Sequence, residues 1–287
     1  MTDLQTATSK PSSELCASAA ATARSAASRA GVEIRLLDSL AEFEAASRLI
    51  ARIWSDDDPK APAALLRALS HAGNFVAGAF NGTDLVGVSI GFFGQDGGGM
   101  HLHSHITGID PRFQNRSLGF AVKQFQRSWA LERGALSIRW TADPLVRRNL
   151  YFNLEKLGAT VVAYHPDFYG PLLDGVNGDG ESDRVVLHWD LGSLRAVEAA
   201  DRRPLESSSG SGTVVVQPGL DGFPVSAPSA DDALLVWITD DIVSLRQSDP
   251  GQAEAWREAV RVALGTALAD GYRGEAITRD GWFLLTR

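Results

Sequence analysis

The stretch Ile109–Ala121 constrains the fold of this chain more than any other part of its sequence. Alternation over His101–Ile109 predicts a strand, residues 110–117 form a polar turn, and Leu118–Glu132 has helical spacing that stops at Gly134. A strand end and a helix start are therefore brought close together by a short polar connection.

This connection has features that suit an anion at the start of the helix. The first N–H groups of a helix lack intrahelical partners and carry partial positive charge. Gly119 removes the Cβ that would hold a ligand away, and Ala121 is nearly as small. Arg112 and Arg116 can add charge-assisted hydrogen bonds to phosphate oxygens. The spacing alone also fits an ordinary strand–turn–helix with a solvated basic turn.

The remaining pattern predicts a domain in which helices and strands are mixed. We predict strands at 32–37, 75–80, 85–92, 101–109, 136–140 and 184–191, and helices at 40–54, 62–71, 118–132 and 147–157. This order favours an α+β, or mixed α/β, fold and excludes a repeat array.

The two ends of the chain differ from this central domain, which we place at 32–200. Residues 1–31 are rich in Ala and Ser and predict a disordered tail that can be deleted without effect, with a transient helix through the alanines as the alternative. Residues 201–213 read as a flexible linker. In 214–287, strands at 233–238 and 283–286 and a helix at 253–268 predict a C-terminal α/β extension, which either stands apart or completes the first sheet.

Composition limits the classes of partner. The net charge of −8 argues against a general nucleic-acid binder, which needs clustered Lys and Arg. Cys16 is the single cysteine, which disfavours disulfides, thiolate zinc sites and Cys–His catalysis. No apolar run reaches the length of a membrane span, and no secretory signal is recognisable. We expect a cytoplasmic protein with no membrane or nucleic-acid partner.

Three alternating histidines, His101, His103 and His105, lie on one face of the strand that leads into the turn. An imidazole can deprotonate an ammonium nucleophile, so His103 or His105 is a candidate general base. The other interpretations are a structural role in a polar cleft and a zinc site. We expect no metal, because no spacing points to a third ligand among His71, His165, His188 or the carboxylates.

Two motifs resemble those of the GNAT acyltransferase superfamily. Arg116-x-x-Gly119-x-Ala121, after a strand ending Ile-Asp-Pro, is similar to its coenzyme A pyrophosphate loop, and Asn149–Ala159 is similar to its late helix. The resemblance implies a GNAT fold, with a mostly antiparallel central sheet, a splayed strand pair and flanking helices. The implied cofactor-binding residues are Thr107, Gly108, Ile109, Arg112, Arg116, Ser117, Leu118, Gly119, Phe120, Ala121, Asn149 and Asn153.

Further features resemble one branch of the superfamily, some members of which are encoded beside N-acylamino acid racemases and transfer succinyl groups to amino acids. They are His103–His105, Trp140–Leu145, Tyr164, Asp167–Gly170, Ser182–Arg184, Ala255–Arg257 and Gly271-Tyr272. The resemblance implies an acyl-CoA-dependent N-acyltransferase that uses acetyl-CoA or succinyl-CoA and a small amine acceptor such as an amino acid. The amine would attack the thioester directly. The alternative is an acyl-CoA-binding module without turnover that contacts a protein partner through its C-terminal region.

Leu154 departs from the superfamily, since it stands where a tyrosine often protonates the leaving thiolate. Tyr151 is the first candidate to replace it, followed by Tyr164 and Tyr169, unless the thiolate leaves as an anion.

Four residues are candidates for the acceptor pocket: Trp140, Asp143, Tyr169 and Arg184. Asp143 either holds a substrate ammonium or caps the following helix. Arg184 either binds a substrate carboxylate or bridges to Asp183 or Asp167. Tyr164, Phe168 and Tyr169 fit a core as well as a pocket.

Overall fold

The structure is a computed structural model that describes residues 10–54, 61–170, 181–203, 205 and 211–287. Its helices are α1 (Ser13–Ala30), α2 (Leu40–Trp54), α3 (Ala63–His71), α4 (Leu118–Glu132), α5 (Arg147–Tyr151), α6 (Leu194–Ala200), α7 (Ile242–Ser248) and α8 (Pro250–Ala269). Its strands are β1 (Glu33–Leu36), β2 (Phe75–Asn81), β3 (Asp84–Asp96), β4 (Gly99–Ile109), β5 (Ser137–Ala142), β6 (Thr160–His165), β7 (Arg184–Asp190), β8 (Thr213–Pro218), β9 (Pro224–Ser226), β10 (Ala233–Trp237), β11 (Arg273–Ile277) and β12 (Trp282–Thr286).

Mostly antiparallel strands with flanking helices confirm the predicted mixed α/β class. The described residues form two compact units. The first consists of the described parts of Met1–Ile53 and Pro59–Arg139 with Asp190–Ser193, and the second contains Trp140–Trp189 and Leu194–Arg287. The division at Trp140 differs from the predicted boundary at 201–213, of which residues 204 and 206–210 lie outside the described part.

In the first unit, β1 to β4 form an antiparallel meander in chain order. The β2–β3 hairpin turns at Gly82, whose φ of 60° lies in the left-handed region that glycine adopts without strain. The inner strands bury aliphatic and aromatic side chains, among them Phe75, Val88 and Leu102. This sheet supports α4, which contacts both β3 and β4.

The predicted disorder of residues 1–31 is wrong for Ser13–Ala30, which form α1 and pack against α4. Ser12 caps this helix by accepting from Leu15 N at 3.1 Å, and Gly31 ends it at a φ of 67°. Its buried side chains are Ala19, Ala23 and Ala26, at spacings of four and three residues. Composition misled the prediction because a stripe of alanines lets two helices approach closely without large apolar side chains.

Burial of α4 extends to polar side chains: Lys123, Gln124, Gln126 and Arg127 are all buried. The reason is that α1 covers one side of α4 while the sheet covers another. Arg127 is satisfied there by the carbonyl of Leu191, which accepts from its Nε at 3.1 Å and its Nη2 at 2.7 Å.

In the second unit the strand order is β7-β6-β11-β12-β10-β8-β9. The C-terminal strands therefore join β6 in one sheet, through the pair Gly274–Val161, and do not form a satellite domain. A Cβ at Gly274 would lie 2.3 Å from the Phe283 ring, so a side chain there would prevent this join. The sequence patterns did not predict β6, β8, β9, β11, α6 or α7.

No helix in the described ranges combines the length and the apolar character that crossing a membrane requires.

Candidate functional site

A β-bulge interrupts β4 in the middle of the histidine motif. Ile90 of β3 faces Ile106, whereas the next residue, Gly91, faces Ser104, so His105 is an extra residue on β4. A bulge of this kind leaves its extra residue out of the ladder and bends the strand locally.

The pairing between β4 and β5 ends just before this bulge. The two parallel strands pair at Leu102–Ile138 and His103–Arg139, and within the described residues nothing in 104–109 extends this ladder. Among the described residues, the backbone N–H and C=O groups on that side of β4 therefore have no strand partner beyond His103. Thr107, Gly108 and Ile109, three of the cofactor-binding residues implied by the resemblance, lie in this segment. The Thr107 hydroxyl is engaged with Ser89 Oγ at 2.8 Å, which leaves its backbone as the group available for a ligand.

The imidazoles of His103 and His105 both contact Phe92 of β3, with ring centroids 5.0 and 5.8 Å from its ring. Burial, together with the neighbouring His105, lowers the pKa of His103 to about 4. Burial also lowers the pKa of His105. With a pKa of about 4, the His103 ring is neutral at pH 7, which lets it accept a proton but makes it a weak base.

His101, by contrast, lies beside the ion pair between Arg139 and Asp96. Burial, followed by the charge of Arg139, lowers the pKa of His101. Its Nδ1 is buried without a hydrogen-bond partner in the described structure. The described residues contain no cluster of three or more His, Cys, Asp or Glu that could hold a metal ion.

The turn after β4 is anchored by Asp110, which is 1% exposed. Its carboxylate accepts from Arg112 N at 3.0 Å, from Arg112 Nη2 at 2.9 Å and from Arg52 Nη2 at 2.9 Å. The hydrogen bonds from Arg112 hold the pKa of Asp110 well below its usual range. Arg112 is thus tethered to Asp110 and its charge is shared, while its side chain stays largely exposed.

The turn then enters α4 through two residues in the left-handed region, Asn115 at φ 61° and Ser117 at φ 60°. Ser117 is the N-cap, yet its side chain makes no capping hydrogen bond in the described structure. Phe113 and Leu118 pack into a core cluster with Val86 and Val122, which fixes both sides of the turn. The first N–H groups of α4 therefore sit on a rigid support without a side-chain cap.

Six further predicted cofactor residues lie at this helix start, on α5 or in the turn that follows α5. Arg116 is exposed, with its guanidinium 5.3 Å from the Phe113 ring centroid. Phe120 and Ala121 are buried, and Gly119 is half-buried. In the second unit, Asn149 is exposed on α5, whereas Asn153 is buried in the π-helical turn Phe152–Lys156 that follows it.

The proposed ammonium-binding role of Asp143 conflicts with its contacts. Asp143 Oδ1 accepts from Leu145 N at 2.8 Å, which is the capping-type turn given as the alternative. Its Oδ2 lies 2.7 Å from Arg246 Nη2 in an ion pair whose side chains are 10% and 19% exposed. The carboxylate charge is already neutralised by Arg246, a residue that the sequence patterns did not single out.

Arg184 and Tyr169 lie together in the second unit, with the guanidinium 5.6 Å from the tyrosine ring centroid. Arg184 Nη1 donates to the backbone carbonyl of Asp183 at 2.8 Å. Tyr169 is exposed and its hydroxyl lies 3.1 Å from Thr141 Oγ1. Trp140, the fourth candidate, is buried with its ring edge against Trp189.

Of the candidate acids, Tyr164 has a hydroxyl that is already engaged in a structural hydrogen bond. Its hydroxyl donates to Asp183 Oδ2 at 2.5 Å, and burial followed by this bond raises the pKa of Tyr164 well above its usual range. Tyr151 is half-buried, and its hydroxyl accepts from Arg279 Nε at 3.3 Å. Leu154 is fully buried, so no acid stands at that position.

Sequence reasoning missed a buried polar cluster beneath the bulge, which we call the Lys123 network. Its members are Ser89, Ser104, Thr107, Lys123 and Gln126. The single available signal was the polar sequence Lys123-Gln124 next to apolar helix positions, and such a pattern ordinarily indicates a solvated face.

No protein-family model and no curated protein matches the chain. Solved structures do resemble it. The ribosomal-protein-S18-alanine N-acetyltransferase from Escherichia coli is 13% identical over 57% of this chain and 96% of its own, with a TM-score of 0.47. A GNAT-family acetyltransferase from Streptococcus pneumoniae is 12% identical over 55% and 97%, with a TM-score of 0.44. The GNAT-like decarboxylase GphF, in complex with isobutyryl-CoA, is 16% identical over 55% and 99%, with a TM-score of 0.43. Likenesses of this strength say nothing about chemistry.

Proposed function

We propose that this protein is an acyl-CoA-dependent N-acyltransferase of the GNAT type. The observation that carries the proposal is the continuity of three features in one segment: the bulge at His105, the open strand edge 104–109 and the uncapped start of α4. An extended acyl-pantetheine group can add to the strand edge by main-chain hydrogen bonds, and a pyrophosphate suits the helix start.

The proposed reaction is direct transfer without a covalent enzyme intermediate. A neutral amine attacks the thioester carbonyl carbon, the C–S bond breaks, and coenzyme A leaves as the thiolate or thiol. Backbone N–H groups at the bulge would polarise the carbonyl, and holding both reactants in line supplies much of the rate. His103 or His105 would first take a proton from the ammonium form of the acceptor, which gives the neutral amine that attacks.

An amino-acid acceptor is the narrower part of the proposal, carried over from the branch resemblance. Its carboxylate is assigned to Arg184 beside Tyr169, since this guanidinium can bind a carboxylate bidentately. Asp143 is not assigned to the ammonium, because Arg246 already neutralises it. Acetyl-CoA and succinyl-CoA are the proposed acyl donors, and Tyr151 is the proposed acid.

The test is release of free thiol from acetyl-CoA and succinyl-CoA, with and without a panel of amino acids. Release that requires an amine supports the proposal. Tight coenzyme A binding without release would favour the binding module instead, the alternative that the buried Leu154 suggests.

If His103 is the base, His103→Ala lowers kcat by about 10²–10⁴-fold. The acidic limb of the wild-type kcat profile then falls near pH 4, the pKa of His103, and not near 6.5. His71→Ala, at an exposed histidine that ends α3, is the matched control and keeps the wild-type rate. Normal rates in His103→Ala and His105→Ala would place the base elsewhere.

A further inference from the structure

Lys123 is a buried lysine of α4 that bonds directly to the strand carrying the bulge. Its Nζ donates to Ser104 Oγ at 3.1 Å and to Gln126 Oε1 at 2.9 Å. The residue is 4% exposed. Ser104 is the last regularly paired residue before the extra residue, His105.

The same network reaches β4 again on the far side of the bulge. Gln126 Nε2 donates to Ser89 Oγ at 3.4 Å, and Ser89 Oγ lies 2.8 Å from Thr107 Oγ1. Ser104 and Thr107 are three residues apart, a spacing that places side chains on opposite faces of a regular strand. Here both join one network, because the extra residue between them reverses the alternation.

This arrangement gives the bulge a fixed register. A slip of one residue would turn either Ser104 or Thr107 away from its partner and leave buried polar groups unsatisfied, which is costly in an interior. Hydrogen bonds on both sides of the bulge, at Ser104 and at Thr107, therefore stabilise it against a shift in register.

Burying an ammonium group at this position costs free energy. Burial lowers the pKa of Lys123 to about 7, so the surroundings oppose its charge. An apolar side chain of similar volume would avoid this desolvation cost, but it could not donate to Ser104 or Gln126. The position thus favours a role in which a long donor must reach Ser104.

We propose that Lys123 is a positioning residue for acyl transfer, which holds the bulged segment Ser104–Thr107 of β4 in its reactive geometry through Ser104. The inference rests on the proposed function and adds a residue to it. Lys123 acts through the strand and touches neither reactant.

The experiment compares Lys123→Met, Ser104→Ala and their double variant with wild type in the full chain. Gln124→Met is the matched control, because Gln124 is buried on the same helix and its amide has no hydrogen-bond partner among the described residues. The readouts are kcat, KM, coenzyme A affinity, and amide hydrogen exchange over 104–107.

We expect kcat to fall about 10- to 100-fold in Lys123→Met and in Ser104→Ala, the order of effect of a small misplacement of reacting groups. KM and coenzyme A affinity stay within twofold. The double variant should lose no more than the larger single loss, since both changes break one contact. Exchange over 104–107 should rise at least tenfold, while Gln124→Met matches wild type.

A Lys123→Met protein with wild-type kcat, or one with wild-type exchange over 104–107, would overturn the proposal. Exchange is measured without substrate, so it separates the two claims. If wild type transfers no acyl group but exchange rises as expected, the proposed function fails and the hold on the bulge stands. If wild type is active and exchange is unchanged, the positioning role fails alone.

Discussion

The surroundings of two buried titratable side chains have opposite effects: they disfavour the ionised form of Lys123 and favour the ionised form of Asp183. Lys123 in the first unit donates to a hydroxyl and an amide, and burial lowers its pKa towards neutrality. Asp183 in the second unit is 3% exposed, and burial alone would raise its pKa. Hydrogen bonds from Arg261 and Tyr164 outweigh that effect and leave the pKa of Asp183 below its usual value.

The difference lies in whether the surroundings favour or oppose the ionised side chain. Around Asp183 the protein supplies charge that favours the ionised carboxylate, so folding and ionisation support each other. Around Lys123 the protein opposes the ionised amine, so the residue lowers stability at neutral pH. An uncompensated buried amine of this kind is the observation that supports the positioning role proposed for Lys123.

The largest effect is expected at Asp183. Asp183→Asn removes the carboxylate from Arg261, whose Nε lies 2.8 Å from Asp183 Oδ2, and should lower the free energy of unfolding by about 3–5 kcal/mol. Urea unfolding at pH 7 measures this. Glu181→Gln is the control, because Glu181 is 48% exposed and its loss should matter by less than about 1 kcal/mol. Equal losses in the two variants would contradict the account.

The effect of Asp183 also has a definite pH window. Its folded pKa is lowered from 3.8, so its stabilisation is present above pH 3.8 and is lost as pH falls below that value.

The next effect is the pH dependence of stability that Lys123 imposes. Its folded pKa is about 7 and its unfolded pKa is about 10.5, so between these values the unfolded chain binds more protons and stability rises with pH. From pH 7 to 9.5, wild type should gain roughly 3 kcal/mol relative to Lys123→Met. Urea unfolding of both proteins across this range gives the difference. Parallel curves would show that the amine is not desolvated.

The smallest effect concerns α1, which covers α4 in the same unit. Ala23→Glu should place a charge in the interface of these helices and lower the free energy of unfolding by about 1–2 kcal/mol. Ala21→Glu is the control, since Ala21 is exposed on the same helix and should change stability by less than about 0.5 kcal/mol. If Ala23→Glu had the same free energy of unfolding as wild type, α1 would not contribute to stability, as the composition of residues 1–31 predicted.

The sequence predicted the parts of the fold that local patterns determine. The predicted helix 118–132 matches α4, because apolar periodicity and Gly134 mark its limits. Strands such as β11 were not predicted, because Arg273–Ile277 is short and contains Gly274. Glycine is needed there because Phe283 packs where a side chain would lie, and that contact is visible only in the folded structure.

In the candidate site, the histidine motif and the turn after it could be identified from spacing. The bulge could not, because His101, His103 and His105 alternate as a regular strand would and the extra residue shows only against β3. Partners distant in sequence were also invisible: Arg246 for Asp143, at 103 residues, and Ser104 for Lys123 on a separate element.

Binding of coenzyme A at the start of α4 is the claim on which the functional account depends most directly. Isothermal titration of coenzyme A into wild type, Gly119→Val and Gly265→Val measures it. Gly265 lies in α8 with open space around its Cβ position, so Gly265→Val controls for valine in a helix. The account predicts equal binding by wild type and Gly265→Val, and none by a folded Gly119→Val protein. Unchanged affinity in Gly119→Val would contradict it.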